Sequence, residues 1–181
     1  MKIKQLGIKG CYEILLSPIK DSRGNFLRVY DQKVLGRIFK KNWVQHNESF
    51  NKESNTFRGF HAQMKPFAEA KLIRVIQGKV IDMILDIRKS SKTYKKLIKI
   101  ELSNNKNMVF VPRGCAHGYL TLQKNTRLSY LHDNFYSKKH EINISFKDPS
   151  IKDKVNINSK KISTKDKSGF NIDKLKQKFI F

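Results

Sequence analysis

Apolar and polar positions alternate along most of this chain with the period of two that a strand requires. Residues Lys71 to Asp86 (KLIRVIQGKVIDMILD) read as two strands rich in β-branched side chains, joined at Gln77-Gly78. Lys96 to Leu102 alternates again, Asn104-Asn105 supplies a turn, and Asn107 to Pro112 makes another short strand. Strands at about ten-residue spacing, with turn residues between them, predict a mainly β fold: an antiparallel sandwich or barrel, the jelly roll included. Helix is expected only in short peripheral pieces, Gln32 to Phe39 and Asp173 to Lys178. No internal repeat or Gly/Pro/Ser linker divides the 181 residues, but 147–181 becomes rich in Lys, Asn and Ser and loses its periodicity. The expected organisation is a single domain over 1–181 whose segment 147–181 wraps the barrel.

Composition narrows the class. With 39% hydrophobic and 10% aromatic residues the chain can bury one core. No run of eighteen apolar residues occurs, and Met1 to Gln5 lacks the start of a signal peptide, so a soluble cytoplasmic protein without membrane partners is expected. Cys11 and Cys115 are too few for a disulfide framework and read as small buried side chains. The net charge of +23 first suggests nucleic acid. Its distribution argues otherwise: residues 1–137 carry 26 basic and 10 acidic side chains, 138–181 carry 12 and 5, and lysine outnumbers arginine 30 to 8. Such an even excess suits a small phosphate-bearing ligand better than a polynucleotide.

Two blocks concentrate groups that can do chemistry. One runs from Trp43 to Ser49 and resumes at Phe57 to Gln63; the other is Val111 to Tyr119. Pro112-x-Gly114-x-x-His117 after a strand is similar to the second motif of cupin barrels, where a turn delivers a histidine to the barrel mouth. Metal-binding cupins carry further ligands in their first motif, whereas His61 is followed by Ala62-Gln63. With one histidine on each motif, neither a metal nor another cofactor is expected.

Seven blocks together resemble one family. Asp21-Ser22-Arg23-Gly24-x-Phe26, Val44-Gln45-x-Asn47-x-Ser49, Phe57-Arg58-Gly59-Phe60-His61-x-Gln63, Lys71-Leu72-x-Arg74-Val75-x-x-Gly78, Asp82-x-x-x-Asp86-x-Arg88, Pro112-x-Gly114-x-Ala116-His117-Gly118 and Asp148-Pro149 follow the order and spacing of the dTDP-4-dehydrorhamnose 3,5-epimerase family over roughly residues 6 to 170. The resemblance implies a cupin-like jelly roll without metal, a homodimer, and a nucleotide-diphosphate 4-keto-6-deoxy sugar as substrate. It also implies roles. His61 is the base and Asp166, in Ile162-Ser163-Thr164-Lys165-Asp166, is its carboxylate partner. Lys71 lies near the keto oxygen, and Tyr130 returns a proton from the other side. Arg23, Phe26, Arg28, Gln45, Asn47, Arg58, His117 and Tyr136 are the expected substrate-binding residues; Arg23, Arg58 and Arg74 are the planar forks weighed for the diphosphate, and Asp82, Asp86 and Arg88 are read as structural. Arg28 stands where the family commonly has Glu, so its charge at the nucleobase would be reversed.

The chemistry such a sugar needs can be stated independently. A C4 ketone acidifies the protons on C3 and C5, so inversion requires a base on one face, stabilisation of the enolate oxygen and an acid on the other face. A histidine is suited to the first task because it titrates near working pH. Three readings remain open: an epimerase acting at C3, C5 or both; a mono-epimerase or keto-isomerase on a related nucleotide sugar; and a non-catalytic cupin that binds polyanions.

Overall fold

The computed structural model describes residues 1–155, 157–159 and 161–175, and the alternating pattern resolves into fourteen strands among them. They are β1 (Lys2–Gln5), β2 (Tyr12–Leu15), β3 (Ile19–Asp21), β4 (Gly24–Phe26), β5 (Gln45–Asn51), β6 (Thr56–Gln63), β7 (Lys71–Gln77), β8 (Lys79–Asp86), β9 (Leu97–Ser103), β10 (Asn107–Val111), β11 (Cys115–Thr121), β12 (Thr126–His132), β13 (Glu141–Asn143) and β14 (Lys161–Ile162). One sheet has the order β1-β2-β10-β7-β12-β5 and the other β13-β6-β11-β8-β9, with β14 parallel to the start of β6. The hairpin β3–β4 stands apart.

The strands expected on either side of Gly78 form but do not pair with each other. β7 lies between β10 and β12, and β8 between β11 and β9. Gly78 turns the corner between the sheets at φ 86°, where a Cβ would lie 2.5 Å from Thr126 Oγ1. From β5 to β12 the chain changes sheet at every connection except β8 to β9. The result is a mainly β, antiparallel fold of the class the pattern predicted, and the cupin-like jelly roll that the resemblance implied.

Three apolar layers explain why β7, β8 and β10 read as nearly unbroken hydrophobic runs. Between the sheets, Ile73, Val75, Val109 and Leu128 meet Val80, Ile84, Leu102 and Cys115. The outer face of the first sheet packs Ile14, Leu72, Met108 and Phe110 against Leu35, Phe39 and Trp43. The outer face of the second packs Phe57, Phe60, Met83 and Leu85 against Ile151, Val155, Ile172 and Leu175, so the C-terminal segment lies against that sheet. Strands covered on both faces have no polar side to show.

Helix is sparse, as the pattern predicted. α1 (Gln32–Leu35) starts at Asp31, whose carboxylate caps Lys33 N at 2.9 Å, and continues only as turns through Phe39. α2 (Lys152–Val155) and α3 (Thr164–Lys167) are single turns in the C-terminal segment. The helix expected over Asp173 to Lys178 is a short 3-10 turn at Ile172–Lys174; residues 176–178 lie outside the described residues.

One irregularity positions the site. His117 pairs with His61 and Tyr119 with Arg58, so Gly59 and Phe60 together oppose the single residue Gly118. This is a β-bulge, and it shifts the side-chain phase of β6 by one residue. Phe57 and Phe60 consequently share the outer layer, while Arg58 and His61 share the inner face. Gly59 has φ 138°, and a Cβ there would lie 2.5 Å from Gly118 Cα. Gly59→Ala should therefore cost at least about 2 kcal/mol of unfolding free energy, measurable by denaturant titration; a loss below half that figure would mean that the bulge tolerates a side chain.

Candidate active site

A cleft of about 270 Å³ opens between the two sheets. From the second sheet it receives Arg58, His61 and Gln63 of β6 and His117 and Tyr119 of β11; from the first, Asn47 and Ser49 of β5, Lys71 of β7, and Tyr130 and His132 of β12. Histidine and tyrosine thus face one another from different walls.

His61, with its side chain 31% exposed, reaches Asp166 Oδ1 through Nε2 at 2.7 Å. Asp166 comes from the first turn of α3, where Ser163 Oγ accepts its N–H at 3.1 Å, and its own side chain is 4% exposed. The strap that carries it is tied down by Lys165, which donates to Glu141, and by Asn143, whose amide donates to the Lys165 carbonyl. Burial pushes the Asp166 carboxyl up, but the His61 contact, Ser163 and the Gly59 amide outweigh it and hold it below the ordinary carboxylate value. A carboxylate so placed fixes the imidazole and leaves its other nitrogen to take a proton.

Beneath this dyad lies a second. His117 Nε2 is 2.7 Å from Asp82 Oδ2, with both side chains buried, so Asp82 supports a cleft histidine. Burial holds the His117 pKa down against the opposing pull of Asp82. On the facing wall, Tyr130 OH is 2.9 Å from Ser49 Oγ, which is 3.0 Å from Tyr119 OH; Tyr119 donates in turn to Asn51 Oδ1 at 3.2 Å. Burial, with Tyr119 adding to it, raises the Tyr130 pKa well above that of a free phenol despite Ser49, so the group stays a proton donor. Lys71 is nearly buried; its ammonium donates to the His61 carbonyl at 3.3 Å and lies 3.2 Å from Glu69 Oε1.

Of the residues expected to bind substrate, Asn47, Arg58, His117 and Tyr136 line the cleft. Arg58 Nε donates to Asn51 Oδ1 at 2.9 Å, and Gln45 accepts the Tyr136 N–H at 3.0 Å from just behind. Arg23, Phe26 and Arg28 are not brought to the cleft of this chain. They lie on or beside the β3–β4 hairpin, where Arg23, 88% exposed, pairs with Asp21 and Arg28 pairs with Asp31. Arg74 alternates with the inward Ile73 and Val75 and so faces the other side of β7. Asp86 accepts from Arg88, Ser91 and Thr93, which is a structural network as read from the sequence. Cys11 and Cys115 are buried; burial pushes the Cys11 thiol up to about 12 and the Cys115 thiol up as well.

Several cleft residues went unselected in the sequence: Ser49, Glu69, Tyr119, His132 and Glu141. Four lie two residues from one that was selected, namely Asn47, Lys71, His117 and Tyr130; for all but Glu69, which precedes β7, strand alternation puts the pair on one face. Among the described residues, no three His, Cys, Asp or Glu side chains are grouped to hold a metal ion. No described helix is long and apolar enough to cross a membrane.

Comparison with known proteins agrees with this geometry. The family model for dTDP-4-dehydrorhamnose 3,5-epimerase matches residues 5–174. The Shigella flexneri protein of that name is 40% identical over 136 residues, covering 72% of this chain and 74% of the relative. A crystal structure of the Bacillus anthracis dTDP-4-dehydrorhamnose 3,5-epimerase with TDP and PPi bound superimposes with a TM-score of 0.88 at 34% identity, covering 92% of this chain and 97% of that one. A 4-keto-6-deoxy sugar epimerase from Streptomyces spheroides superimposes with a TM-score of 0.89 at 25% identity, covering 96% of this chain and 89% of that one. A cupin-like double sheet, a His-Asp dyad on one wall, a phenol on the other and a match across nearly the whole chain lead to one assignment: this chain belongs to the dTDP-4-dehydrorhamnose 3,5-epimerase family.

Proposed function

We propose that this chain inverts C3, C5 or both of a nucleotide-diphosphate 4-keto-6-deoxy sugar, the dTDP-linked sugar named for its relatives, by removing and returning a proton through an enolate. The observation that carries this reading is the opposition of His61, backed by Asp166, on β6 to Tyr130 on β12 across one cleft. His61 takes the proton from carbon, and the C–H electron pair becomes the enolate double bond with negative charge on the C4 oxygen. Lys71 is the donor available to that oxygen. Tyr130 then gives its proton to the opposite face of the same carbon, and exchange with solvent takes the proton from the imidazolium and returns one to the phenolate, which restores both groups. Asp166 stabilises the imidazolium and does not itself line the cleft.

Arg58 and Tyr136 at the rim are the substrate-binding groups on this protomer, and the overall positive field draws the diphosphate. The reaction runs without a metal. The working form is a homodimer, because Ile19 and Phe26 on the β3–β4 hairpin are 69% and 64% exposed and a second copy would cover them. The described part of segment 147–181 belongs to the same domain as the barrel, since Ile151, Val155 and Ile172 are buried against β6 and its neighbours.

Deuterated water tests the chemistry directly. Incubation with a 4-keto nucleotide sugar should place deuterium at C3 and C5; label at one carbon alone defines a mono-epimerase, and no label ends the enzymatic reading. His61→Asn should slow exchange by about a hundredfold or more, and parental exchange in that variant would remove His61 from the mechanism.

Asp166→Asn keeps the shape but not the charge, and should lower kcat by about tenfold or more while KM changes little. The same variant has a stability signature. Because the folded carboxyl lies below its ordinary value, its stabilisation is present above that ordinary value and is lost as pH falls through the lowered one. Parent and variant unfolding curves should therefore converge in acid and separate toward neutrality; a constant offset would show that the carboxylate charge contributes nothing. Finally, prolonged chelation should leave turnover intact, whereas loss restored by a divalent ion would reveal a metal requirement.

A further inference from the structure

The wall that presents Lys71 contains a buried cluster with no part in the proton transfers above. Glu69 Oε1 lies 3.2 Å from Lys71 Nζ, while Oε2 accepts from Gln63 Nε2 at 3.0 Å and faces His132 Nδ1 at 3.0 Å. We propose that Glu69 and His132 are a positioning pair that holds the Lys71 ammonium charged and aimed into the cleft, toward the sugar oxygen on which the enolate charge develops. This inference rests on the epimerase reading.

The donor inventory supports it. An ammonium has three N–H groups. Glu69 and the His61 carbonyl take two of them, which fixes the rotation of the head group and leaves the third for an oxygen in the cleft that Lys71 lines. The partners of His132 also define its tautomer. Its Nε2 lies 3.4 Å from Asn47 Nδ2, an atom that can only donate, so Nε2 accepts and Nδ1 carries the hydrogen that Glu69 receives. Burial raises the Glu69 carboxyl, but Lys71 and His132 outweigh it and keep the group ionised.

The backbone is gripped at the same place. Asp133 Oδ1 accepts Ala70 N at 2.6 Å while its Oδ2 takes Arg113 Nε at 2.9 Å. His132, the last residue of β12, and Asp133 after it thus hold Glu69 and Ala70 just before β7, one by side chain and one by main chain. The other titratable groups around the cleft are His61 with Asp166 from β6 and α3, His117 with Asp82 from β11 and β8, Arg58 from β6, Tyr119 from β11, Tyr130 from β12, Tyr136, and Glu141 from β13. Asp166 and Asp82 are committed to imidazoles and Glu141 to Lys165, so Glu69 is the counter-charge in direct contact with the ammonium. Removing it leaves a buried cation beside two imidazoles.

Three variants test the pair: Glu69→Gln, His132→Asn, which keeps an N–H near the Nδ1 position, and His132→Leu, which does not. Glu69→Gln should lower kcat at least about tenfold with KM within about threefold, short of the loss expected for a direct donor. The alkaline limb of its kcat profile should move to lower pH, because the unbalanced ammonium gives up its proton more readily. His132→Asn should keep kcat within about threefold of the parent, whereas His132→Leu should follow Glu69→Gln. Acylation of Lys71 by an N-hydroxysuccinimide ester, read by peptide mass spectrometry without substrate, should accelerate in Glu69→Gln and His132→Leu but not in His132→Asn. A parental pH limb and a parental acylation rate in Glu69→Gln would overturn the proposal, as would His132→Leu behaving like His132→Asn. If Glu69→Gln does not fold, Glu69→Asp, which retreats by one methylene, should give smaller changes in the same directions, and none would likewise overturn it. A parent that exchanges no deuterium sinks the epimerase reading, while the acylation rates still decide whether Glu69 and His132 hold Lys71.

Discussion

The extra residue at Gly59–Phe60 decides which side chains of β6 face the cleft. In an unbroken strand continuing from Phe57, alternation would turn His61 outward with Phe57 and bring Phe60 inward. The bulge opposite Gly118 resets that phase, so the two phenylalanines stay in the outer layer and Arg58 and His61 both look in. Packing and chemistry are therefore solved by the same local device. The apolar side chains of β6 can be large because the polar ones are not competing for the same face.

The second organising feature is electrostatic. The chain carries 38 basic and 15 acidic residues, yet the cleft lysine and three cleft imidazoles each have a carboxylate behind them: Asp166 at His61, Asp82 at His117, and Glu69 at Lys71 and His132. Three of the fifteen acidic residues thus stand where bases and donors need to be oriented. The unpaired excess lies elsewhere and acts at long range, drawing a diphosphate by a field that salt screens, while the paired groups act at contact distance, where screening is weak.

Much of this was legible in the alternation of side chains. The strands over 71–86, 97–103 and 107–111 follow from local pattern because strand propensity and burial agree there. Which sheet each strand joins did not, since β7 and β8 are adjacent in sequence and in different sheets, and only the three-dimensional packing separates them. At the site, alternation marks the inward face of β12 that carries Tyr130, but the bulge resets the phase at His61 and β7 is apolar on both faces, so His61 and Lys71 needed the motif order. Asp166 lies in a polar segment whose local chemistry resembles a solvated turn, and only the family resemblance singled it out. His132 sits two residues from Tyr130 on the same strand face, a signal that alternation does supply, whereas Glu69 lies just before β7, where alternation says nothing. Arg23, Phe26 and Arg28 show the opposite case: motif order selected them, but their hairpin lies outside this chain's cleft.

The distance in sequence between His61 and Asp166 carries a last consequence. Those residues are 105 positions apart, and the carboxylate reaches the imidazole only when the strap from β13 onward lies against the second sheet. That docking is driven by Ile151, Val155, Ile172 and Leu175, none of which touches the dyad's hydrogen bond. Lys165, next to Asp166, then ties the strap to Glu141 at the cleft rim. Apolar burial thus sets the position of the carboxylate, and the dyad returns part of that stabilisation as a hydrogen bond to the barrel. Completion of the base and closure of the fold are one event: a barrel without its strap would keep His61, Lys71 and Tyr130 on their strands but would lack the charge that makes His61 a directed base.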